Sequence, residues 1–296
     1  HMTGLKVLDI SKFNLDMKPE YYCWREGLTA QVKYPTTGMS GTSKWNFDEA
    51  SGVLTVHAGT LANGKYGINA WTLLADEVTK IIIDGPLATG TDASMLFLGM
   101  SKLTSIEGLS KLDTSRATNM NAMFQDSPLL VNLDLSKFDT SHVTNMRGMF
   151  RHESGLTNLD VSKFDTSQVS DMNGMFNGTS KIKKLDVSNF NTKKLTNMVD
   201  MFNGMTVLEG LDLSNFDTSN ITSVNDFLSG NPNLKNLTVP PTFPTEKVPS
   251  AVPFTLKTGK QDMKVHNSTL YIGDKWNAKA NFDHATDKAG SALNIT

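Results

Sequence analysis

Apolar and polar positions along this chain alternate for a few residues, then open to a wider spacing, and the change recurs at a fixed interval. Residues 133–150 read LDLSKFDTSHVTNMRGMF. Leu133 and Leu135 alternate with Asn132, Asp134 and Ser136, the period-two pattern of a short strand with one buried face. Phe138 follows as a large apolar residue on the way out of the strand. Asp139, Thr140 and Ser141 have short side chains that bond nearby backbone, which favours turns and caps. Val143, Met146, Met149 and Phe150 then fall at i, i+3, i+6 and i+7, predicting a short helix with Thr144 as its N-cap.

The same block returns as LDVSKFDTSQVSDMNGMF at 159, LDVSNFNTKKLTNMVDMF at 185 and LDLSNFDTSNITSVNDFL at 211, so each start lies 26 residues after the last (133, 159, 185, 211). A weaker copy, LDTSRATNMNAMF, occupies 112–124, and a closing half-copy, LTVP, begins at Leu237. No single copy can cover its own apolar face. Full copies at constant spacing with degenerate copies at both ends predict a solenoid with capping repeats. The expected fold class is α/β: a leucine-rich-repeat solenoid with a parallel sheet on one face, short helices on the other and a β-hairpin cap at its N-terminal end. Leu135, Val161, Val187 and Leu213 should form one buried column and Phe138, Phe164, Phe190 and Phe216 a second. The Met120/146/172/198 and Met123/149/175/201 ladders are core by spacing.

The motif LDLSxFDTSxVTNMxxMF resembles the repeat of BspA-like leucine-rich-repeat surface proteins, bacterial cell-surface proteins common in Gram-positive species. The match spans roughly 78–240, with F-[DN]-T-S and T-N-M-x-x-M-F as its most specific elements. The resemblance implies an extracellular, wall- or membrane-anchored protein whose relatives are described as adhesins. It speaks to fold far more than to ligand. GTSKWNFDEASGVLTVHAGTL, from Gly41, resembles the segment that precedes the repeats in this family. Trp45 and Phe47, then Leu54 and Val56, alternate around a turn at 48–52 and predict the capping hairpin over the first rung at Ile81 and Ile83. STLYIGDKWNAKANFDHATDKAGSALNIT, 268–296, resembles the beginning of a bacterial immunoglobulin-like repeat.

The expected organisation is therefore an N-terminal segment and β-rich cap at 1–77, the solenoid at 78–240, a proline-rich exit at 241–263 and a partial immunoglobulin-like segment at 264–296. Within the first of these, LDISKFN at 8–14 echoes the repeat without its second half. Tyr21, Tyr22 and Trp24 around Cys23 read as a packed mini-core.

Composition narrows function mainly by exclusion. The formal net charge is −2. The repeat region 81–239 holds 13 Lys/Arg against 17 Asp/Glu, a net of −4, so nothing calls for nucleic acid. One cysteine, Cys23, allows neither an intramolecular disulfide nor a cysteine zinc cluster. No apolar run approaches the ~18 residues of a membrane span. His1-Met2 reads as an expression-vector scar, so a signal peptide and wall anchor are expected to lie outside this sequence. No H-E-x-x-H or G-x-S-x-G motif occurs, and residues of one kind recur in columns where an enzyme needs unlike groups converging. The reading is a monomeric, non-enzymatic, extracellular adhesin or ligand-binding module without a cofactor. Its expected partner is a host extracellular-matrix protein or a mucin glycan. The rival reading is a spacer that presents another domain.

One column carries charge. Asp134, Asp160, Asp186 and Asp212 lie between inward-pointing leucines and valines and should project from consecutive rungs. At ~4.8 Å between strands, neighbouring carboxylates repel by ~0.9 kcal/mol even at the dielectric of bulk water. Hydrogen bonds from Ser136, Ser162, Ser188 and Ser214, a basic partner, or a bound cation would each offset that cost. The position two residues earlier varies (Asn132, Asn158, Lys184, Gly210) while the neighbouring leucines do not. The candidate ligand-facing residues are therefore the four aspartates with Asn158 and Lys184. Asp113, Asp139, Asp165, Asn191 and Asp217 read as turn caps, and Asn119, Asn145, Asp171 and Asn197 as helix openers.

Overall fold

The computed structural model describes residues 6–9, 31–63 and 71–240, together with the backbone of strands at 255–258, 261–265 and 268–272. The chain winds as a parallel solenoid around one continuous core. Leu135, Val161, Val187 and Leu213 are buried in one column, as are Phe138, Phe164, Phe190 and Phe216. Every methionine of the two ladders is fully buried. Phe97, Phe124, Phe150, Phe176 and Phe202 stack rung on rung with ring centroids 5.4–5.9 Å apart. The two aromatic columns meet in the middle: Phe124 lies 6.2 Å from Phe138, and Phe150 6.3 Å from Phe164.

The cap is the hairpin expected from the Trp45/Phe47 and Leu54/Val56 alternation. Ser43–Asp48 pairs antiparallel with Val53–Val56, and Thr37–Ser40 adds to its outer edge. Gly52, at φ +71°, closes the turn, helped by the Asp48 carboxylate, which accepts the Ala50 N–H and the Ser51 hydroxyl. Val53–Val56 then pairs in parallel with Lys80–Ile83, setting Leu54 beside Ile81 and Val56 beside Ile83, and Ser105–Glu107 continues the sheet. The open end of the core is thus covered by Trp45, Phe47, Leu54 and Val56, all buried.

Two expectations are corrected. The first is the helical layer. Among the described residues only two 3-10 turns occur, Thr72–Leu74 and Leu109–Lys111, and neither lies in the T-N-M-x-x-M-F segments. Those segments form a ladder of turns stacked six rungs deep at 92–99, 119–126, 145–152, 171–178, 197–204 and 223–230. In the rung at 145–152, the N–H groups of Met146, Gly148, Phe150 and His152 donate to the carbonyls of Asp171, Asn173, Met175 and Asn177 one rung on, at 2.7–3.0 Å. The intervening N–H groups of Met149, Arg151 and Glu153 turn back to Met146, Gly148 and Phe150 within the rung. All of these donors are satisfied without a helix. The alternation needs a left-handed residue twice per rung. Met95, Ala122, Gly148, Gly174, Asp200 and Asp226 form one such column at φ +53° to +60°. A positive φ interrupts any α-helix, so Thr144 caps none. Its N–H and hydroxyl instead reach the Thr118 carbonyl of the preceding rung.

The second correction concerns the L-D-L segments. Gly210–Asp212 pairs in parallel with Asn236–Thr238, and Lys184 bridges to Gly210, but 133–135 and 159–161 are not hydrogen-bonded strands. Donors just past each segment are consumed locally: Ser136 and Ser162 N–H groups bond the preceding aspartate, and the N–H groups of Phe138 and Phe164 bond the carbonyls of Leu135 and Val161. The same local bonds flank the paired segment Gly210–Asp212, so they accompany both arrangements. What ties these rungs together is a threonine spine. Buried Thr140 donates its hydroxyl to the Asp165 carbonyl at 2.9 Å and accepts the Asp165 N–H at 2.8 Å. Thr114, Thr166 and Thr192 make the same pair of bonds to Asp139, Asn191 and Asp217.

The sheet also runs past the prolines that follow Val239. Thr255–Thr258 adds in parallel to Asn236–Thr238 and to Ser268–Ile272, which pairs antiparallel with Gln261–Val265. Near the start of the chain, Val7–Asp9, overlapping the first two residues of the LDISKFN echo, pairs in parallel with Gln31–Lys33. The aromatic cluster at Tyr21, Tyr22 and Trp24 lies outside the described residues.

Candidate functional site

The solenoid offers two outer faces on different sides of the shared aromatic core. The first carries the aspartate column. Asp134, Asp160, Asp186 and Asp212 are all exposed, and each takes the N–H of the serine two residues on, at 3.2, 2.9, 2.9 and 2.9 Å. Asp134 also accepts the Ser136 hydroxyl at 2.6 Å. These bonds favour the ionised form. The serine hydroxyl and then the serine N–H hold the Asp134, Asp160 and Asp186 carboxyls below their ordinary range, and for Asp186 this outweighs the smaller opposing effect of Asp160. Of the three offsets open to the column, hydrogen bonding to the serines is present on every rung. Among the described residues no group of three or more His, Cys, Asp or Glu is arranged to hold a metal ion. Asn158 and Lys184 are exposed two residues before Asp160 and Asp186.

The second face is the outside of the turn ladder. Here lies a groove of about 670 Å³. It crosses the first four rungs, floored by Ala122 and Gly148 and walled by amides, among them Asn121, Asn145 and Asn173. The wall positions exist because each rung opens with an Asx turn. Asn119, Asn145 and Asp171 accept the N–H groups of Asn121, Arg147 and Asn173 at 2.9–3.0 Å, which turns the next side chain outward. Two cations enter the groove, Arg147 and Arg151, and neither forms an ion pair among the described residues. Arg151 donates its Nε–H to His152 Nε2 at 3.4 Å, while His152 Nδ1 meets Asp126 at 2.7 Å.

The repeat pattern singled out the aspartate column but not the groove. The readable signal was a break in column identity. Arg147 stands where neighbouring rungs have Asn121 and Asn173, and Arg151 where they have Gln125 and Asn177.

A third polar feature is internal. Glu153 is fully buried, its Oε1 accepting the Ser127 N–H at 2.6 Å. Burial pushes its carboxyl up to about 9, the Ser127 bond opposes this, and nearby Asp126 adds to the rise.

These features define a parallel solenoid of the BspA-like leucine-rich-repeat kind, with an invariant core and variable outer columns. The chain belongs to the family described as "Mycoplasma protein of unknown function, DUF285", whose model matches residues 91–184 and 153–240. Residues 263–296 match the bacterial Ig-like domain (group 3). Among solved structures, the chain is similar to a leucine-rich repeat protein from Eubacterium ventriosum, at 15% identity over 75% of this chain and 77% of that one, with a TM-score of 0.28. No curated protein matches it. Among the described residues no helix is long and apolar enough to cross a membrane.

Proposed function

We propose that this chain is the non-enzymatic, ligand-binding part of a bacterial surface protein, an extracellular adhesin that engages a host matrix protein or a mucin glycan as a monomer. The observation that carries this reading is the groove on the ladder face, with two arginines unpaired among the described residues. A purely mechanical rod has no use for a lined concavity at which column identity breaks down. In this reading the chain divides into a cap at 1–77, the binding solenoid at 78–240, an exit at 241–263 and the start of an immunoglobulin-like unit at 264–296. The face bearing Asp134, Asp160, Asp186 and Asp212, with Asn158 and Lys184, is proposed as a second contact surface suited to a basic partner.

The match to an Ig-like domain directly after the repeats favours a second reading, a spacer within a stalk. A screen of the folded chain against immobilised matrix proteins and mucin glycans separates the two. Saturable binding that is weakened by changes in the groove or the aspartate face supports the adhesin, and no saturable binding to any target supports the spacer.

A further inference from the structure

The groove's chemistry narrows what it would hold, and the argument rests on the ligand-binding reading above. Its floor is bare for a reason other than backbone strain. Gly148 and Gly174 sit at φ +60°, but Met95, Ala122, Asp200 and Asp226 adopt the same conformation in the same column with side chains. Glycine is therefore not obligatory there. A Cβ at position 148 would press only on Gln125 Oε1, the end of a flexible side chain, at 3.0 Å and otherwise meet ordinary contacts, Arg151 Cβ at 3.7 Å and Cδ at 3.9 Å. What Gly148 provides is an open floor that brings a ligand against the backbone.

The walls present both donors and acceptors. Asn145 uses its Oδ1 on the Arg147 N–H and keeps its Nδ2 without a partner among the described residues, while the whole Asn173 amide is likewise unengaged. Amides that offer a donor and an acceptor side by side suit hydroxyl groups. Arg147 and Arg151 bracket Gly148 in sequence, and unpaired guanidinium groups suit a carboxylate. The carboxylates of Asp92 and Asp171 also line the groove, leaving its charge balanced. A polyanion would meet those two aspartates, whereas a neutral chain with one acidic group would not have to. Apolar lining is confined to Met95 and Leu98 beside the alanine of the floor, too little to anchor peptide side chains.

We propose that this groove binds an oligosaccharide bearing a single carboxylate, with Arg147 and Arg151 receiving the acid, Asn145 and Asn173 the hydroxyls, and Gly148 the sugar face. The test is titration of the full chain with sialyl-lactose, and in parallel with lactose, heparin and a polyglutamate peptide. Sialyl-lactose should bind, and lactose should bind about tenfold more weakly or not at all. Arg147→Gln and Arg151→Gln should each reduce sialyl-lactose affinity about tenfold. Gly148→Ala should do so by filling the floor, with the melting transition retained, since Ala122 adopts the same conformation one rung earlier. Arg116→Gln, an exposed arginine outside the groove, should leave affinity unchanged. Equal loss with Arg116→Gln, or polyglutamate or heparin binding as tightly as sialyl-lactose, would overturn the inference in favour of general electrostatics or a peptide ligand. If matrix or mucin targets bind in the broader screen and the groove variants bind them unchanged, this inference falls while the adhesin reading stands. If nothing binds, both fall.

Discussion

Replacing Glu153 by Gln should make this protein more stable at neutral pH, and increasingly so as pH rises. The side chain is fully buried in a column it shares with Ser127 and Thr179, and its Oε2 has no hydrogen-bonding partner among the described residues. Burial raises the carboxyl from 4.5 to about 9 in the folded chain. Between those two values the folded protein holds a proton that the unfolded chain has released. Stability therefore is greatest below the unfolded value and falls with rising pH, by up to about 1.4 kcal/mol per unit, until the folded group itself ionises near the upper value. At pH 7 that amounts to about 3 kcal/mol lost relative to pH 4.5. Glutamine keeps the Oε1 acceptor for the Ser127 N–H and cannot ionise. Other charges near the site are Asp126, which adds to the upward shift, and His152, paired with Asp126 at 2.7 Å. Both remain in the variant, so their interactions with the rest of the fold cancel in the comparison, while the Asp126 effect on the Glu153 carboxyl is part of the difference measured. Denaturant unfolding of both proteins at pH 5, 7 and 9 should give curves that diverge as pH rises, Glu153→Gln being the more stable. Parallel pH dependence in the two proteins would show that Glu153 does not carry a proton in the fold.

Three further outcomes are expected. Trp71→Phe should cost about 1–3 kcal/mol, because the indole N–H donates to the Leu96 carbonyl at 3.0 Å at a buried site, and unfolding by circular dichroism measures the loss. Thr140→Val, which keeps the shape but strips the hydroxyl from both Asp165 backbone groups, should cost about 2 kcal/mol or more, and Thr140→Ser about 1 kcal/mol; a smaller loss for the Val than for the Ser variant would assign the effect to the methyl group. Asp160→Asn with Asp186→Asn should change stability at pH 7 by less than about 1 kcal/mol, since Oδ1 still accepts the serine N–H, while removing part of the stability loss that appears as pH falls through the lowered carboxyl range. If the aspartate face meets a basic partner, the same pair should weaken binding and flatten its salt dependence.

The core was legible because it obeys a rule that acts locally and repeats. Leu135, Phe138, Met146, Met149 and Phe150 are apolar in copy after copy, and all are buried. The helix was misread because i, i+3, i+6, i+7 describes any segment that turns one face inward, including a ladder whose turns recur every two residues. Gly148 and Gly174 were the contrary signal, since glycine weakens a helix interior and permits the positive φ found there. Thr140 was read as a turn former from its neighbours. Its burial, and its bonds to a residue 25 positions ahead, follow from stacking and cannot be seen within one copy. The serine bonds to the aspartate column were legible as one of three possibilities, because an Asx turn needs only two residues of sequence.

The turn ladder also explains why recognition can be written on its outer face at little cost to the fold. In a helix the outward residues still pay a propensity that differs by up to about 1 kcal/mol from residue to residue. In the ladder at 145–152, backbone groups fix the rung spacing and Met146, Met149 and Phe150 fill the interior. The residue after the inward Met146 is held in the rung through its backbone N–H, and its side chain varies: Asn121, whose Nδ2 also donates to the Arg147 carbonyl at 3.1 Å, Arg147, Asn173, Val199 and Asn225 occupy the same place on successive rungs. The left-handed column is almost as permissive, accepting Met95, Ala122, Gly148 and Asp200 at nearly the same φ. A substitution at either column alters the groove while leaving the backbone hydrogen bonds that join the rungs untouched. Arg147 is such a substitution, Arg151 in the column of Gln125 and Asn177 adds a second cation to the same rung, and that is the physical ground for seeking the ligand there.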